Sequence, residues 1–273
     1  MDIIFNNKYK KLEIIGSGGF GNVYKVLEIE SNNLYALKFI PKDKVEKYKF
    51  QNEIYIMKDL KKKNNKHIIK LIEDFEIKNE GYCIVMELCD SSLKEILEIY
   101  QPKGLPLNIL KKIFIQLNEA LKIMKNNGYT HRDLKPDNIL IKYTDKNKNE
   151  FDIKLSDFGL SADYIYSTII SHTKYIGTEK YMAPEIKHNK YNNKCDLWSL
   201  GIILYELYTN RYIFDSEKSR NKGKIVEETD NDMINKLIRK LIQTNINKRI
   251  GWNEYFEDDF FKEEKEKDLK GIY

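Results

Sequence analysis

The hydrophobic pattern of this chain changes once along its length, near Asp90. Before that point, five short segments rich in Val, Ile, Leu, Tyr and Phe are separated by Gly-rich and Asn-rich turns, a pattern typical of β-strands. A further segment repeats apolar residues at helical spacing. The predicted strands are residues 9–16, 22–30, 34–40, 69–77 and 82–88, and the predicted helix is residues 45–60. The first third therefore predicts a small sheet with one helix.

Beyond Asp90 the apolar residues recur every three to four positions, which predicts helices. One such helix carries Leu110, Leu117 and Met124 and stops near Gly128. Two more are predicted over residues 197–208 and 233–242, a polar hairpin or surface loop over residues 143–150, and a solvated charge run over residues 262–270. The second part of the chain is therefore expected to be mainly helical.

Composition narrows the class of protein. The chain has 273 residues, with 47 Lys and Arg against 42 Asp and Glu, and a mixed charged surface explains this balance better than a nucleic-acid site. Three cysteines without a Cys-x-x-Cys pair favour neither a disulfide framework nor a zinc site. No stretch approaches the ~18 consecutive apolar residues of a membrane span, and the N-terminus lacks a secretory signal. We expect a cytoplasmic protein, with the nucleus not excluded.

A glycine-rich run stands between the first two predicted strands. Glycines let backbone amides approach phosphate oxygens where a Cβ would clash. Two other interpretations stay open: a tight hairpin, and a dinucleotide-binding turn, which needs a helix after the glycines. The second strand favours a strand-loop-strand flap, and a Walker loop is excluded because no Gly-Lys-Ser/Thr ends the run. The run reads Gly16-Ser17-Gly18-Gly19-Phe20-Gly21-Asn22-Val23.

Lys38 lies in the third predicted strand, in the run Ala36-Leu37-Lys38. A lysine in an apolar strand can simply point into solvent, but this one follows the glycine run closely enough to reach phosphates held under the flap. Such a lysine needs an acidic partner to hold it in place. Glu53, on the predicted helix, is the better candidate and Glu46 the poorer one.

The densest group of chemically useful residues is the run His131-Arg132-Asp133-Leu134-Lys135-Pro136-Asp137-Asn138. An aspartate can orient a hydroxyl or accept its proton, a lysine can neutralise a phosphate, and an amide oxygen can bind magnesium. Asp133, Lys135 and Asn138 therefore form a candidate phosphoryl-transfer set. Asp157, which opens the run Asp157-Phe158-Gly159, supplies a second hard oxygen ligand.

A last run reads Gly177-Thr178-Glu179-Lys180-Tyr181-Met182-Ala183-Pro184-Glu185. The ordered set of motifs resembles the eukaryotic protein kinase superfamily, and within it the serine/threonine protein kinase catalytic domain, from about residue 9 to residue 261. The resemblance implies one α+β, bilobal protein kinase domain over residues 1–273. Its parts would be a small lobe with a five-stranded antiparallel sheet and one helix (9–88), a larger, mainly helical lobe (89–261) and a charged tail (262–273).

The resemblance also implies a site for ATP and magnesium. Lys38 would hold the α- and β-phosphates and pair with Glu53, Asp133 would be the catalytic aspartate, and Lys135 would contact the γ-phosphate. Magnesium would be bound by Asn138 and Asp157, while Met86 would be the gatekeeper at the start of the hinge. The residues expected around the nucleotide are Ile15, Gly16, Ser17, Gly18, Gly19, Phe20, Gly21, Val23, Ala36, Lys38, Met86, Glu87, Cys89 and Leu140.

Several residues are expected to support the fold. A histidine before a catalytic aspartate invites an acid–base role, but the resemblance implies that His131 is packed. It would stack with Leu71, Met57 and Phe158 above an anchoring Asp196, and Glu185 would form a buried ion pair with Arg249. His67, His172 and His188 lack metal-ligand spacing and are expected at the surface.

Two features favour serine/threonine specificity. Lys135 resembles the serine/threonine group, whereas tyrosine kinases share Ala-Ala-Arg or a close variant in this stretch, and Thr178 would bridge Asp133 and Lys135. The implied reaction is transfer of the ATP γ-phosphoryl group to Ser/Thr hydroxyls of protein substrates by a monomeric enzyme. The alternatives are a pseudokinase acting as a scaffold or allosteric binding module, which the complete set of chemical residues disfavours, and a kinase of small molecules.

Regulation and substrate choice are less defined. Arg132 precedes the catalytic aspartate, and such kinases are often activated by a phosphate that this arginine binds. Thr173, with Ser171 two residues before it, is the candidate acceptor for an upstream kinase or for autophosphorylation. The alternatives are that Lys174 partly neutralises the surroundings of Arg132 or that no phosphorylation is required. Residues 211–230 are weakly periodic where the family carries a docking helix, and Asp137 stands where kinases preferring basic substrates often have glutamate.

Overall fold

The computed structural model describes residues 2–19, 21–163, 178–188 and 192–262. Its N-terminal lobe is a six-stranded antiparallel sheet with the order β1-β2-β3-β4-β6-β5. The five predicted strands are confirmed, with ends shifted by at most two residues. The strands are β1 (Ile4–Phe5), β2 (Tyr9–Gly18), β3 (Gly21–Glu28), β4 (Leu34–Pro41), β5 (Leu71–Ile77) and β6 (Gly81–Glu87).

The sixth strand, β1, was not expected. It pairs Phe5 with Tyr9 at the edge of the sheet. Phe5 is buried, and its ring lies 5.6 Å from that of Tyr24 and 6.1 Å from that of Phe39. Since the strand has only two residues, it is too short to show the alternation by which strands are recognised.

One helix, α1 (Lys47–Lys62), belongs to this lobe. Its predicted apolar residues are buried, and Phe50 stacks on Tyr82 of β6 with ring centroids 4.5 Å apart. Glu53 lies on the same buried face, between Phe50 and Ile54 in the helical repeat. Packing of the apolar face of α1 against the sheet therefore places the Glu53 carboxylate in the interior of the lobe.

The C-terminal lobe is mainly helical. Its predicted helices are confirmed as α3, α4 and α6, whereas α2, α5 and α7 are short and were not predicted. Every residue of α4 from Cys195 to Leu207 is buried, as befits a helix that is apolar on all sides. No helix in the described part of the chain is long and apolar enough to cross a membrane. The helices are α2 (Leu93–Ile99), α3 (Leu107–Asn126), α4 (Cys195–Thr209), α5 (Glu217–Lys222), α6 (Asp232–Leu241) and α7 (Trp252–Phe256).

Two of the short helices, α2 and α5, have capping residues at their ends. α2 begins with a reciprocal capping box between Ser92 and Glu95. α5 is preceded by Ser216, whose side chain accepts the backbone N–H of Ser219, and is followed by Gly223, whose φ of 64° is left-handed. Residues 211–230, expected to be weakly periodic, thus contain one short helix.

A hairpin aligns two of the candidate metal ligands. The strands β9 (Ile139–Tyr143) and β10 (Phe151–Leu155) are antiparallel, with Ile139 opposite Leu155, so the polar hairpin expected over residues 143–150 is confirmed. Because Asn138 precedes β9 and Asp157 follows β10, the two residues meet at one end of the hairpin. Three two-residue segments complete the strands found in the described ranges, β7 (Ser91–Ser92), β8 (Tyr129–Thr130) and β11 (Ala162–Asp163).

The surface position expected for His67 is wrong. Its exposed fraction is 1%, and Nδ1 lies 3.2 Å from the carbonyl oxygen of Ile153. The chain is drawn inward here because the His67 carbonyl accepts the N–H of Leu155 at 2.8 Å. His172 and the side chain of His188 lie outside the described residues.

Candidate active site

The glycine run forms the turn between β2 and β3. Gly16 lies opposite Val23 and Gly18 opposite Gly21, so a strand follows the glycines and the dinucleotide-binding alternative, which needs a helix, does not hold. Gly21 requires glycine: its φ is 146°, and a Cβ would lie 2.0 Å from the carbonyl oxygen of Phe39. Among the described residues, no heavy atom lies within 4 Å of a Cβ built at Gly18 or Gly19, apart from the atoms of their chain neighbours. Phe20 is outside the described residues.

Lys38 is bound by carboxylates from both lobes. Its Nζ lies 2.8 Å from Oε1 of Glu53 and 2.8 Å from Oδ1 of Asp157. The pair with Glu53 is the one expected, whereas Glu46 is exposed and pairs with Lys49 at 3.1 Å. Burial alone would lower the pKa of Lys38, but the charges of Asp157 and Glu53 outweigh burial and raise it. The lysine is therefore held as a cation.

Asp133, Lys135 and Thr178 form a compact triangle. Lys135 Nζ lies 2.9 Å from Asp133 Oδ2 and donates to Thr178 Oγ1 at 2.8 Å. Thr178 in turn donates its hydroxyl and its backbone N–H to Asp133 Oδ1, both at 2.8 Å. The bridge expected of Thr178 is thus present. It holds a largely buried carboxylate and an ammonium next to each other, as phosphoryl transfer to a hydroxyl requires.

Asp196, at the start of α4, holds the backbone of the two residues before Asp133. Its carboxylate accepts the N–H groups of His131 at 2.7 Å and Arg132 at 2.9 Å. Burial raises the pKa of Asp196, although both hydrogen bonds favour the charged form. His131 is buried, with its ring 5.5 Å from that of Phe158 and Nε2 3.0 Å from the carbonyl oxygen of Ser156. These contacts fit the packing role expected of His131.

Two residues of the site have left-handed backbone. Arg132 has φ 67° and Asp157 has φ 64°. Non-glycine residues rarely adopt this region, and such strained positions are concentrated at functional sites. Arg132 also donates Nε–H to the carbonyl oxygen of Leu160 at 2.5 Å, which connects the residue before Asp133 to the segment that follows Asp157.

Asn138 and Asp157 fit a magnesium ion. Asn138 Nδ2 donates to Asp133 O at 2.8 Å and Oδ2 at 3.1 Å, so its amide oxygen is the side-chain atom left for a cation. The Asn138 carbonyl accepts the N–H of Ser156 at 2.9 Å, which brings the neighbouring Asp157 alongside. In the described residues no cluster of three or more His, Cys, Asp or Glu could hold a metal. Magnesium needs none, because it is usually bound by one or two such ligands together with phosphates.

These groups share one cavity of about 860 Å³ between the lobes. It is lined by the glycine turn, by the cationic and acidic groups described above, and by a face of α1. The predicted residues that line it are Gly16, Ser17, Gly18, Gly19, Gly21, Val23, Lys38, Glu53, Asp133, Lys135, Asn138, Asp157 and Thr178. The phosphate and hydroxyl ends of the expected site are therefore brought together.

The remaining nucleotide residues do not line this cavity; they are Ile15, Ala36, Met86, Glu87, Cys89 and Leu140. Ala36 lies opposite Met86 across β4 and β6, and Glu87 ends β6. The Glu87 carboxylate is occupied by Lys142 at 2.6 Å and Lys154 at 3.2 Å. The Glu87 side chain is therefore satisfied within the chain, and its backbone N–H donates to the carbonyl oxygen of Lys70 at 3.0 Å.

Sequence reasoning missed part of the α1 lining. Tyr48, Lys49 and Asn52 reach the cavity beside Glu53, and Asn52 Nδ2 donates to the carbonyl oxygen of Ser161 at 3.1 Å. Helical spacing was the available signal, since Lys49 precedes Glu53 by four residues and lies on the same face.

The base of the lobe is joined to the segment after Thr178 by a buried ion pair. Arg249 Nη1 lies 2.6 Å from Oε1 of Glu185 and Nη2 lies 3.0 Å from Oε2, the bidentate arrangement expected of this pair. The guanidinium also lies 5.1 Å from the ring of Trp198 on α4. The segment that begins at Thr178 is thereby anchored at its far end.

A two-lobed fold with these charged groups in the cleft is characteristic of one family of proteins. The model of the protein kinase domain family matches residues 9–261, and the chain belongs to this family. The Plasmodium falciparum protein named calcium-dependent protein kinase 4 is 32% identical over 286 residues, which cover 99% of this chain and 52% of that protein.

Two further relatives match a shorter part of the chain. Serine/threonine-protein kinase TIO of Arabidopsis thaliana is 39% identical over 207 residues, 74% of this chain and 15% of that protein. Serine/threonine-protein kinase 36 of Pongo abelii is 38% identical over 205 residues, 73% of this chain and 14% of that protein. The chain thus spans about half, or much less, of the length of these relatives.

Proposed function

We propose that this chain is an active serine/threonine protein kinase domain, which transfers the γ-phosphoryl group of ATP to Ser/Thr hydroxyls of protein substrates. The observation that carries the proposal is one connected set of contacts across the cleft. Lys38 is bound from both lobes, and Thr178 joins Asp133 to Lys135. Phosphoryl transfer depends mainly on positioning and charge neutralisation, and these contacts hold the groups that supply both.

Each residue has a role in this proposal. Lys38 holds the α- and β-phosphates, and Glu53 keeps its ammonium in the cleft. Asp133 orients the acceptor hydroxyl and takes its proton as the oxygen–phosphorus bond forms and ADP leaves with the electron pair of the broken bond. Lys135, 2.9 Å from Asp133, neutralises charge on the transferred group.

Asn138 and Asp157 would hold magnesium through their side-chain oxygens. Bound there, the ion would neutralise phosphate charge. Ile15, Ala36, Met86, Leu140 and the hinge residues Glu87 and Cys89 would surround the adenine.

Specificity for serine and threonine is supported by Lys135 and Thr178, whose mutual hydrogen bond of 2.8 Å places both beside Asp133. The names of two relatives, which contain the words serine/threonine-protein kinase, agree with this proposal. The competing function is that of a pseudokinase scaffold. The presence of all the chemical residues, in mutual contact, favours catalysis.

Phosphotransfer by the purified chain tests the proposal. With magnesium, ATP carrying a labelled γ-phosphate and a general protein substrate, we expect label on serine and threonine and none with Asp133→Asn. Asp133→Asn keeps the size of the side chain but not its charge. Nucleotide binding by the wild type without any transfer would instead favour the scaffold.

Activation by phosphate on Thr173 or Ser171, and a monomeric state, remain parts of the proposal; both acceptors lie outside the described residues. Full activity of the double variant Thr173→Ala, Ser171→Ala would contradict the activation. The three free cysteines fit a reducing compartment such as the cytoplasm.

A further inference from the structure

A buried carboxylate lies under the segment that carries Thr178. Glu206, on α4, has an exposed fraction of 4% and accepts a hydrogen bond of 2.6 Å from the hydroxyl of Tyr181. Burial and the Glu206 carboxylate raise the pKa of the Tyr181 hydroxyl, and the charge of Asp137, which lines the cavity, adds to this effect. A hydroxyl acceptor must reach Asp133 beside Thr178, so the residues that flank the acceptor pass over this part of the surface.

The Glu206 carboxylate is already occupied by a cation of the chain itself. Lys180, two residues after Thr178, forms an ion pair with it. The Lys180 ammonium lies 5.3 Å from the ring centroid of Tyr181 and 5.0 Å from that of Tyr212. A carboxylate with two aromatic rings is an arrangement that binds an ammonium or a guanidinium. The side chain of Lys180 is 39% exposed, so this cation pocket opens to the surface.

The pocket does not depend on the Lys180 side chain for its shape. The carbonyl oxygen of Lys180 accepts the hydroxyl of Tyr212 at 2.6 Å, and that of Tyr181 accepts the hydroxyl of Ser199 at 2.9 Å. The preceding residue, Glu179, is bound by Arg220 of α5, whose side chain is 5% exposed. These bonds hold the backbone of the segment independently of the ion pair.

We propose that Lys180 fills a cation pocket of the substrate-binding surface and so excludes arginine and lysine side chains of substrates from Glu206. The inference rests on the proposed function and narrows its substrate class. The substrate segments that the kinase phosphorylates therefore carry neutral or acidic residues at the position that passes over Glu206. The lysine both neutralises the carboxylate and repels a second cation.

A peptide series tests this, with arginine placed in turn at each position around one serine and alanine as the reference. For the wild type, kcat/KM with arginine should equal or fall below that with alanine at every position. In Lys180→Ala, kcat/KM for arginine should rise about tenfold at one position, because a charged hydrogen bond becomes available to the substrate. The double variant Lys180→Ala, Glu206→Gln should lose this gain. Arg211→Ala removes an exposed pair with Glu227 in the same lobe and should keep the wild-type profile.

Lys180→Gln serves as a second variant, because its amide can still bind Glu206 and so protects folding; thermal unfolding of each variant checks this. It should accept arginine better than the wild type and less well than Lys180→Ala. An unchanged arginine profile in folded Lys180→Ala and Lys180→Gln would overturn the inference while the kinase activity stands. Absence of transfer by the wild type to any serine or threonine peptide would overturn the proposed function and this inference with it.

Discussion

At the scale of single residues, Lys38 has the most demanding surroundings, since two carboxylates reach it from different lobes at 2.8 Å. We expect Lys38→Met to lower phosphotransfer by about 10²-fold or more, because a pre-positioned charge in the cleft is lost. The rate of γ-phosphate transfer measures this. Lys42→Met is the matched control: Lys42 lies just beyond β4 and pairs at the surface with Glu76 at 2.7 Å. Equal loss in both variants, or near-normal activity of Lys38→Met, would contradict the assignment.

His67 gives a prediction on pH. Burial lowers its pKa, so at mildly acidic pH the unfolded chain binds a proton that the folded chain does not. Neutral His67 is therefore compatible with the full free energy of unfolding above the unfolded-state pKa of about 6.5. That free energy decreases as the pH falls below this value. The urea midpoint of the wild type should fall from pH 7.5 to pH 5.5 more steeply than that of His67→Gln. Parallel slopes for the two proteins would contradict this account.

At the scale of elements, the glycines of the turn between β2 and β3 differ in how strictly the backbone requires a glycine. Gly21 has a φ of 146° and lies against the backbone of Phe39, whereas the space at Gly18 is open. Gly21→Ala should destabilise the fold by about 1–3 kcal/mol and raise the KM for ATP, because the turn must open to relieve the clash. Thermal unfolding measures the first effect and kinetics the second. Gly18→Ala, the matched variant, should unfold at nearly the wild-type temperature; equal destabilisation by both would contradict the distinction.

The predictability of the elements follows their length and period. Helices α1, α3, α4 and α6 and the five longer strands were predicted because each has enough residues to show its repeat. The two-residue strand β1 and the five-residue helix α7 were missed because neither is long enough for its pattern of apolar residues to repeat. Their formation depends on burial of aromatic rings such as Phe5 and Tyr255.

At the scale of the whole molecule, the site draws residues from both lobes, so its ligand should stabilise both. Magnesium with ATP at about 100 times its Kd should add about 2.7 kcal/mol to the free energy of unfolding, by binding only the folded state. Thermal unfolding with and without a chelator measures this. We expect chelation to remove most of the gain and Asp157→Asn to reduce it. Equal stabilisation by ATP with and without magnesium would contradict the metal site.

The contacts of the site were predicted unevenly. The pairs Lys38–Glu53 and Glu185–Arg249 were expected from motifs whose order along the chain is informative. The contact of Lys38 with Asp157, 119 residues away, has no local signal. The pair Lys180–Glu206 was not predicted either. It joins a loop to the buried helix α4, in which the residues around Glu206 are mostly apolar.

The sequence by itself determined the inventory of chemical groups and the periodic elements that carry them, because residue type and spacing are local properties of the chain. Tertiary structure alone decided that Lys38 is shared by two carboxylates, that His67 is buried, and that Lys180 covers Glu206. Such pairings arise when packed elements bring distant residues into a low-dielectric interior, where charges require partners and close contacts exclude water. These conditions depend on the whole fold, and no short window of residues contains them.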